Sequence, residues 1–212
     1  MTPAQTPNTP APLRLLQQES LLLCVDVQER LCAAMPKEAL AQLVQNASRL
    51  LRGAQILGIP VVVSEQYRRG LGGTIPELAS LIPAGSSNLE KLEFSAWAAP
   101  ALAAAIAETG RSQIIVIGME THNCVYQTVR DLAHVGNKVH IPHDAVCSRY
   151  PENARVGLVL AERAAGVVTS TPVPVPGLWT FSGAGSGCTV AASGLVTANL
   201  PGTCNATMIL NG

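Results

Sequence analysis

The 212-residue chain has no net charge, with 14 Lys and Arg balanced by 14 Asp and Glu. That balance argues against a nucleic-acid partner, which needs concentrated basic charge. Apolar residues make up 48% of the chain, the share of a folded globular protein, yet no uninterrupted run approaches the length of about 18 that a membrane span requires. Neither signature of nucleotide binding is present, neither G-x-G-x-x-G after a strand pattern nor G-x-x-x-x-G-K-[ST], so no cofactor is expected. Six cysteines include no C-x-x-C pair, which removes zinc-ribbon and thioredoxin readings. The first 13 residues, MTPAQTPNTPAPL, lack the basic start and apolar stretch of a secretory signal, and their prolines suit a flexible arm. A soluble, cytoplasmic domain is the expectation. No charged residue follows Arg163. From residue 172 onward the chain is rich in Gly, Ser, Thr and Ala without helical period. Residues 172–212 are therefore read as an atypical charge-free tail, either a β-like appendage or a segment foreign to the domain before it.

Between these ends, residues 14–171 alternate two periodicities. Strand patterns run over 20–27, 59–66, 112–118, 137–144 and 167–171. Helical patterns run over 37–58, around 76–82, and over 98–110, 121–136 and 153–166. In the longest of these, Leu40, Leu43, Val44, Ala47, Leu50, Leu51 and Ala54 form one apolar stripe, and Gly58 suits the C-cap. Strands alternating with helices predict an α/β, three-layer sandwich with a mostly parallel central sheet and helices on both faces. The continuous apolar runs at 21–25 and 114–117 suit central strands covered on both sides. In such sheets ligands bind beyond the carboxyl ends of the strands. That places Asp26 and Gln28, Glu65 to Tyr67, Glu120 to Cys124, and His143 and Asp144 at candidate positions.

Cys124 follows an apolar strand through a sharp connection into a helix. A helix N-terminus favours negative charge and would lower a thiol pKa; the plain alternative is an ordinary, partly buried cysteine. Cys24 reads as a small buried hydrophobe, Cys32 and Cys147 as core filler, and Cys188 and Cys204 fall in the tail. Asp26 ends an apolar strand, where a carboxylate needs a charged neighbour or a structural hydrogen bond. Lys91 lies between apolar and aromatic residues, or on the surface as most lysines do.

Taken together, L-C-V-D-V-Q-E-R around Asp26, K-L-E-F-S-A-W after Lys91, and G-M-E-T-H-N-C-V ending beside Cys124 resemble the isochorismatase-like cysteine hydrolases, a family that includes nicotinamidases and N-carbamoyl amidases. S-E-Q-Y-R-R-G-L-G-G-T-I-P-E-L (64–78) and V-H-I-P-H-D-A-V-C-S-R (139–149) strengthen the likeness, which covers about residues 19–171. The resemblance implies a catalytic triad of Asp26, Lys91 and Cys124. In it, Lys91 stabilises the thiolate, Asp26 shuttles the proton, and the substrate passes through a thioester. It further implies a cis peptide between Met119 and Glu120, with the N–H groups of Glu120 and Cys124 turned to an oxyanion. Gln28, Tyr67, Phe94, Trp97 and His122 are candidate pocket walls. Nicotinamidases carry Asp and His metal ligands after the second strand; here that place reads E-Q-Y-R-R-G without His, so no metal is expected, and His140 and His143 are poor substitutes. True isochorismatases cleave a vinyl ether and do not need the cysteine, so its presence favours C–N hydrolysis of a small amide or carbamoyl compound. The family also implies a homo-oligomer, dimer or tetramer, and a charged amphipathic helix where this chain has its tail. Two other readings stand beside the enzyme: a non-catalytic binding or scaffold protein of the same fold, and a thiol redox sensor built on Cys124.

Overall fold

The computed structural model describes residues 15–164 and 166–169. Beyond them it describes only the short strands Thr180–Phe181, Cys188–Val190, Val196–Ala198 and Met208–Ile209, paired in two antiparallel ladders. The arm expected over residues 1–13 and the remainder of the 172–212 tail lie outside the described residues.

In the first strand, β1 (Ser20–Val25), every residue is buried. Because strand side chains alternate, Leu22 and Cys24 enter one apolar layer while Leu21, Leu23 and Val25 enter the other. This continuous apolar run is what a strand covered on both faces requires. The chain continues through α1 (Glu29–Ala33), α2 (Lys37–Leu57), β2 (Val61–Gln66), α3 (Arg68–Leu71), α4 (Pro76–Ala79), β3 (Ser87–Lys91) and α5 (Pro100–Glu108). It then runs through β4 (Gln113–Met119), α6 (Tyr126–His134), β5 (Lys138–Pro142), β6 (Val146–Cys147), α7 (Pro151–Arg163) and β7 (Val167–Thr169). Strands β3-β2-β1-β4-β5-β7 form a parallel sheet in that order, and the short β6 pairs with the carboxyl end of β4. Helix α2, with residues of α1 and α4, covers one face; α5, α6 and α7 cover the other. Each fully buried Leu, Ile or Val contributes about 1.5–3 kcal/mol relative to an exposed one, so the two layers dominate the stability of the sheet.

The doubly covered α/β sandwich is thus the observed architecture, and α2 closes at Gly58 in the left-handed conformation. Within residues 15–169, four helices and strands are additional to those expected: α1, α3, β3 and β6. The sequence of β3, S-N-L-E-K, has one apolar side chain because it is an edge strand. The helical pattern over 121–136 divides into a π-helical turn, Thr121–Val125, and α6. The pattern over 137–144 ends as a strand at Pro142, where a 3-10 turn begins.

Order reverses between β1 and β4: the first half of the chain builds outward through β2 and β3, the second through β5 and β7. At this seam Val25 is in register with Gly118, whose φ is +121°. A Cβ on Gly118 would lie 1.9 Å from the Val25 carbonyl oxygen, which is fixed backbone. Gly118→Ala is therefore expected to destabilise the domain by about 3 kcal/mol or more, read as a lower urea midpoint; a loss under about 1 kcal/mol would contradict the close approach.

Candidate active site

Three carboxyl-terminal strand ends converge at the seam. Asp26 follows β1 and is fully buried, held at φ +54° with its N–H on the Ser64 carbonyl. Its Oδ1 accepts from the Ser64 hydroxyl at 2.7 Å, and its Oδ2 accepts from Lys91 Nζ at 2.7 Å. Lys91 is the last residue of β3, buried despite its edge strand, and its ammonium also meets Gln66 Oε1 at 2.7 Å and the carbonyls of Phe94 and Glu93. Cys124 lies in the π-helical turn after β4, 6% exposed, near enough to the Asp26 carboxylate and the Lys91 ammonium for both to act on its thiol. The structure thus brings Asp26, Lys91 and Cys124 into one buried cluster.

Its electrostatics differ from the expectation for a thiol at a helix N-terminus. Burial and the adjacent Asp26 carboxylate push the Cys124 thiol up to about 12, with Lys91 opposing them. Desolvation and a neighbouring negative charge outweigh the pull of the Lys91 ammonium, so the resting proton stays on sulfur. Burial likewise raises the Asp26 carboxyl, against the lowering pull of Lys91, Ser64 and the thiol. The two acids therefore compete for one proton beside a fixed positive charge.

The peptide between Met119 and Glu120 is cis. The Glu120 side chain turns away from solvent to take a forked pair of bonds from Arg149, at 3.1 and 2.7 Å, and a third from the Arg149 backbone N–H at 3.0 Å. His122 Nδ1 lies 3.0 Å from the Ser148 hydroxyl. Helix α7 presses directly on this segment, since a Cβ on Gly157 would come within 2.7 Å of the His122 backbone.

The remaining candidate walls have diverse surroundings. Gln28 is fully buried, and both N–H groups of its amide are committed, to the carbonyls of Gln66 and Gly72; its oxygen accepts from the Gln66 N–H. It ties loops together beneath the site. Tyr67, at φ +36°, and Phe94 are about half exposed, at 48% and 52%. Trp97 packs on the core layer shared with Cys124. Glu65 accepts from the N–H and hydroxyl of Thr74, from Asn88 and from Arg68. Burial raises its carboxyl, but these hydrogen bonds more than offset that and hold it below the ordinary range. It pins the long excursion between β2 and β3. His140 is buried in β5, its Nδ1 without a hydrogen-bond partner among the described residues, and burial lowers its pKa. Among the described residues no group of three or more His, Cys, Asp or Glu could hold a metal ion, and no helix is long and apolar enough to cross a membrane. Ser64, Glu65 and Gln66 act as supports; Glu65 and Gln66 are candidate positions in the sequence by their place at a strand's carboxyl end, whereas Ser64 is not.

The parallel sheet whose order reverses between β1 and β4 defines a class of α/β proteins, and the chain has recognisable relatives within it. The Isochorismatase domain profile matches residues 20–172. The chain is 39% identical over 153 residues to Isochorismatase domain-containing protein 1 of Danio rerio, covering 72% of this chain and 52% of that one. The structure of the MAR1 ribonuclease of Caenorhabditis elegans superposes with a TM-score of 0.69 at 30% identity, covering 74% of this chain and 79% of that one. YcaC of Pseudomonas aeruginosa shares the fold, with a TM-score of 0.71 at 21% identity over 76% and 80% of the two chains. The chain belongs to the isochorismatase-domain family. It spans about half the length of the first curated relatives it matches.

The Glu120–Arg149 tie yields a pH dependence. Burial alone would raise the Glu120 carboxyl, but Arg149's hydrogen bonds and charge, with a smaller contribution from His122, hold it below its ordinary value. A folded-state pKa that is lowered stabilises the fold above the ordinary value, and that stability is lost as pH falls through the lowered one. Arg149→Ala should cost about 1–2 kcal/mol at neutral pH. The gap from wild type should close on acidification through the Glu120 titration in urea unfolding series; a gap independent of pH would be inconsistent with the tie.

Proposed function

We propose that the domain is a cysteine hydrolase that cleaves a C–N bond in a small amide or carbamoyl compound. The observation that carries this is the 2.7 Å Lys91–Asp26 pair with the Cys124 thiol beside both members. On substrate binding Asp26 takes the thiol proton, a task its raised pKa favours. The Lys91 ammonium then stabilises the sulfur anion. The thiolate adds to the carbonyl carbon, and the N–H groups of Glu120 and Cys124 receive the oxyanion. Collapse breaks the C–N bond, the nitrogen leaves with the proton from Asp26, and a thioester remains. Asp26 next deprotonates a water that attacks the thioester, and returns the proton to sulfur as the acid product leaves. Tyr67, Phe94, Trp97 and His122 border the substrate. A nucleic-acid substrate fits poorly with a chain of zero net charge.

Ammonia release from a panel of small primary amides and ureido compounds tests the proposal. Cys124→Ala should abolish turnover and Asp26→Asn should reduce kcat/KM by roughly 10²–10⁴-fold, the range for loss of a general base. Turnover that survives Cys124→Ala would remove the nucleophile and with it the mechanism.

A further inference from the structure

Lys91 stands among more acceptors than it has protons. An ammonium has three N–H groups. Asp26 Oδ2 and Gln66 Oε1 each lie 2.7 Å from Nζ, the carbonyls of Phe94 and Glu93 lie at 3.1 and 3.2 Å, and the Cys124 sulfur is near enough to feel its charge. The two short bonds go to the carboxylate and the amide, and the two longer carbonyls share the third proton. Sulfur gains a full N–H only when one acceptor releases it. Asp26 is the acceptor whose strength changes: on taking the thiol proton it becomes a neutral acid and binds the ammonium more weakly. For the ammonium to turn to sulfur without drifting, some other acceptor must hold it at constant strength.

Gln66 meets that need. Its Nε2 donates to the Leu92 carbonyl at 2.8 Å, which fixes Oε1 as the end facing Lys91. Its main chain is clipped at both N–H and C=O by the buried Gln28 amide, at 2.7 and 3.0 Å. An uncharged acceptor fixed at three other points cannot capture the ammonium as a second carboxylate would. We propose that Gln66 is a positioning residue that holds the Lys91 ammonium between Asp26 and Cys124 and sets how its charge is shared between them. This rests on the reading of Cys124 as nucleophile and Asp26 as base. The other titratable groups around the pair are Cys24 on β1, Glu65 on β2, which is matched by Arg68, and Glu93 after β3, which accepts from the Leu92 N–H.

The proposal demands opposite effects from two substitutions. Gln66→Met removes the neutral anchor, so the ammonium settles on Asp26 and keeps it ionised. Gln66→Glu introduces a second negative charge that draws the ammonium away and disfavours the Asp26 anion. The full chain carrying ¹³C-labelled aspartate is titrated by NMR, and iodoacetamide labelling of Cys124 is followed against pH by mass spectrometry. Gln66→Met should move the Asp26 titration to lower pH and slow labelling near pH 8 by about tenfold, whereas Gln66→Glu should move the titration up by about one unit or more. Shifts in the same direction, or no shift in either variant, would overturn the proposal, because a merely structural role has no reason to reverse sign. Should Gln66→Met fail to fold, the upward shift in Gln66→Glu is still required. Opposite Asp26 shifts with an unlabelled wild-type Cys124 would uphold Gln66 and sink the nucleophile; a labelled Cys124 with unmoved Asp26 would do the reverse.

Discussion

The buried contact between Asp26 and Lys91 is the constraint around which the rest of the site is arranged. Both side chains are withdrawn from water, and each charge alone would carry a desolvation penalty of several kcal/mol. Such a pair is tolerated only when its remaining lone pairs and protons are satisfied. The structure satisfies them from three directions: Ser64 on Asp26 Oδ1, Gln66 on Nζ, and the carbonyls of Glu93 and Phe94 on Nζ. The strand β3 exists to the extent that it delivers Lys91 to this point, since its own pattern of half-exposed residues supplies little core.

Outside the pair lies a layer of buried polar groups that tie loops rather than react. Gln28 joins the ends of β1, β2 and α3; Glu65 joins β2 to Thr74 and Asn88; Glu120 joins the π-helical turn to Arg149. Each carboxylate in this layer is met by an arginine, Glu65 by Arg68 and Glu120 by Arg149. The field felt by Cys124 is consequently set chiefly by Asp26 and Lys91, not by these neighbours.

What could be read from the sequence follows from where burial writes a pattern. The stripe of Leu43, Ala47, Leu50, Leu51 and Ala54 is one face of α2 against the sheet, and the runs at 21–25 and 114–117 are the two central strands; apolar periodicity marks all three. An edge strand such as β3 buries few side chains, so S-N-L-E-K carries no strand signal although its last residue is central to the site. Gln28 and Gln66 stand out in the sequence only as strand-end positions, because their bonds run to chain segments 38 to 44 residues away or to a lysine 25 residues away. The thiol's environment was misjudged because a helix N-terminus is visible in sequence, whereas the desolvation and the carboxylate that oppose it are properties of the assembled fold.

The seam between β1 and β4 gives the arrangement its logic. The first half of the chain, through β3, supplies the carboxylate and the ammonium. The second half, from β4 onward, supplies the sulfur. Val25 is in register with Ser64 on one side and with Gly118 on the other, so one backbone position aligns the group that bonds Asp26 with the strand that leads to Cys124. The Asp26 carboxylate and the Cys124 thiol therefore lie on either side of the line where the two halves of the sheet meet, and their separation is set by strand register. Gly118 allows β4 to approach β1 there at backbone contact. A side chain at that point would press apart Asp26 and Cys124 while leaving each held by its own half of the fold.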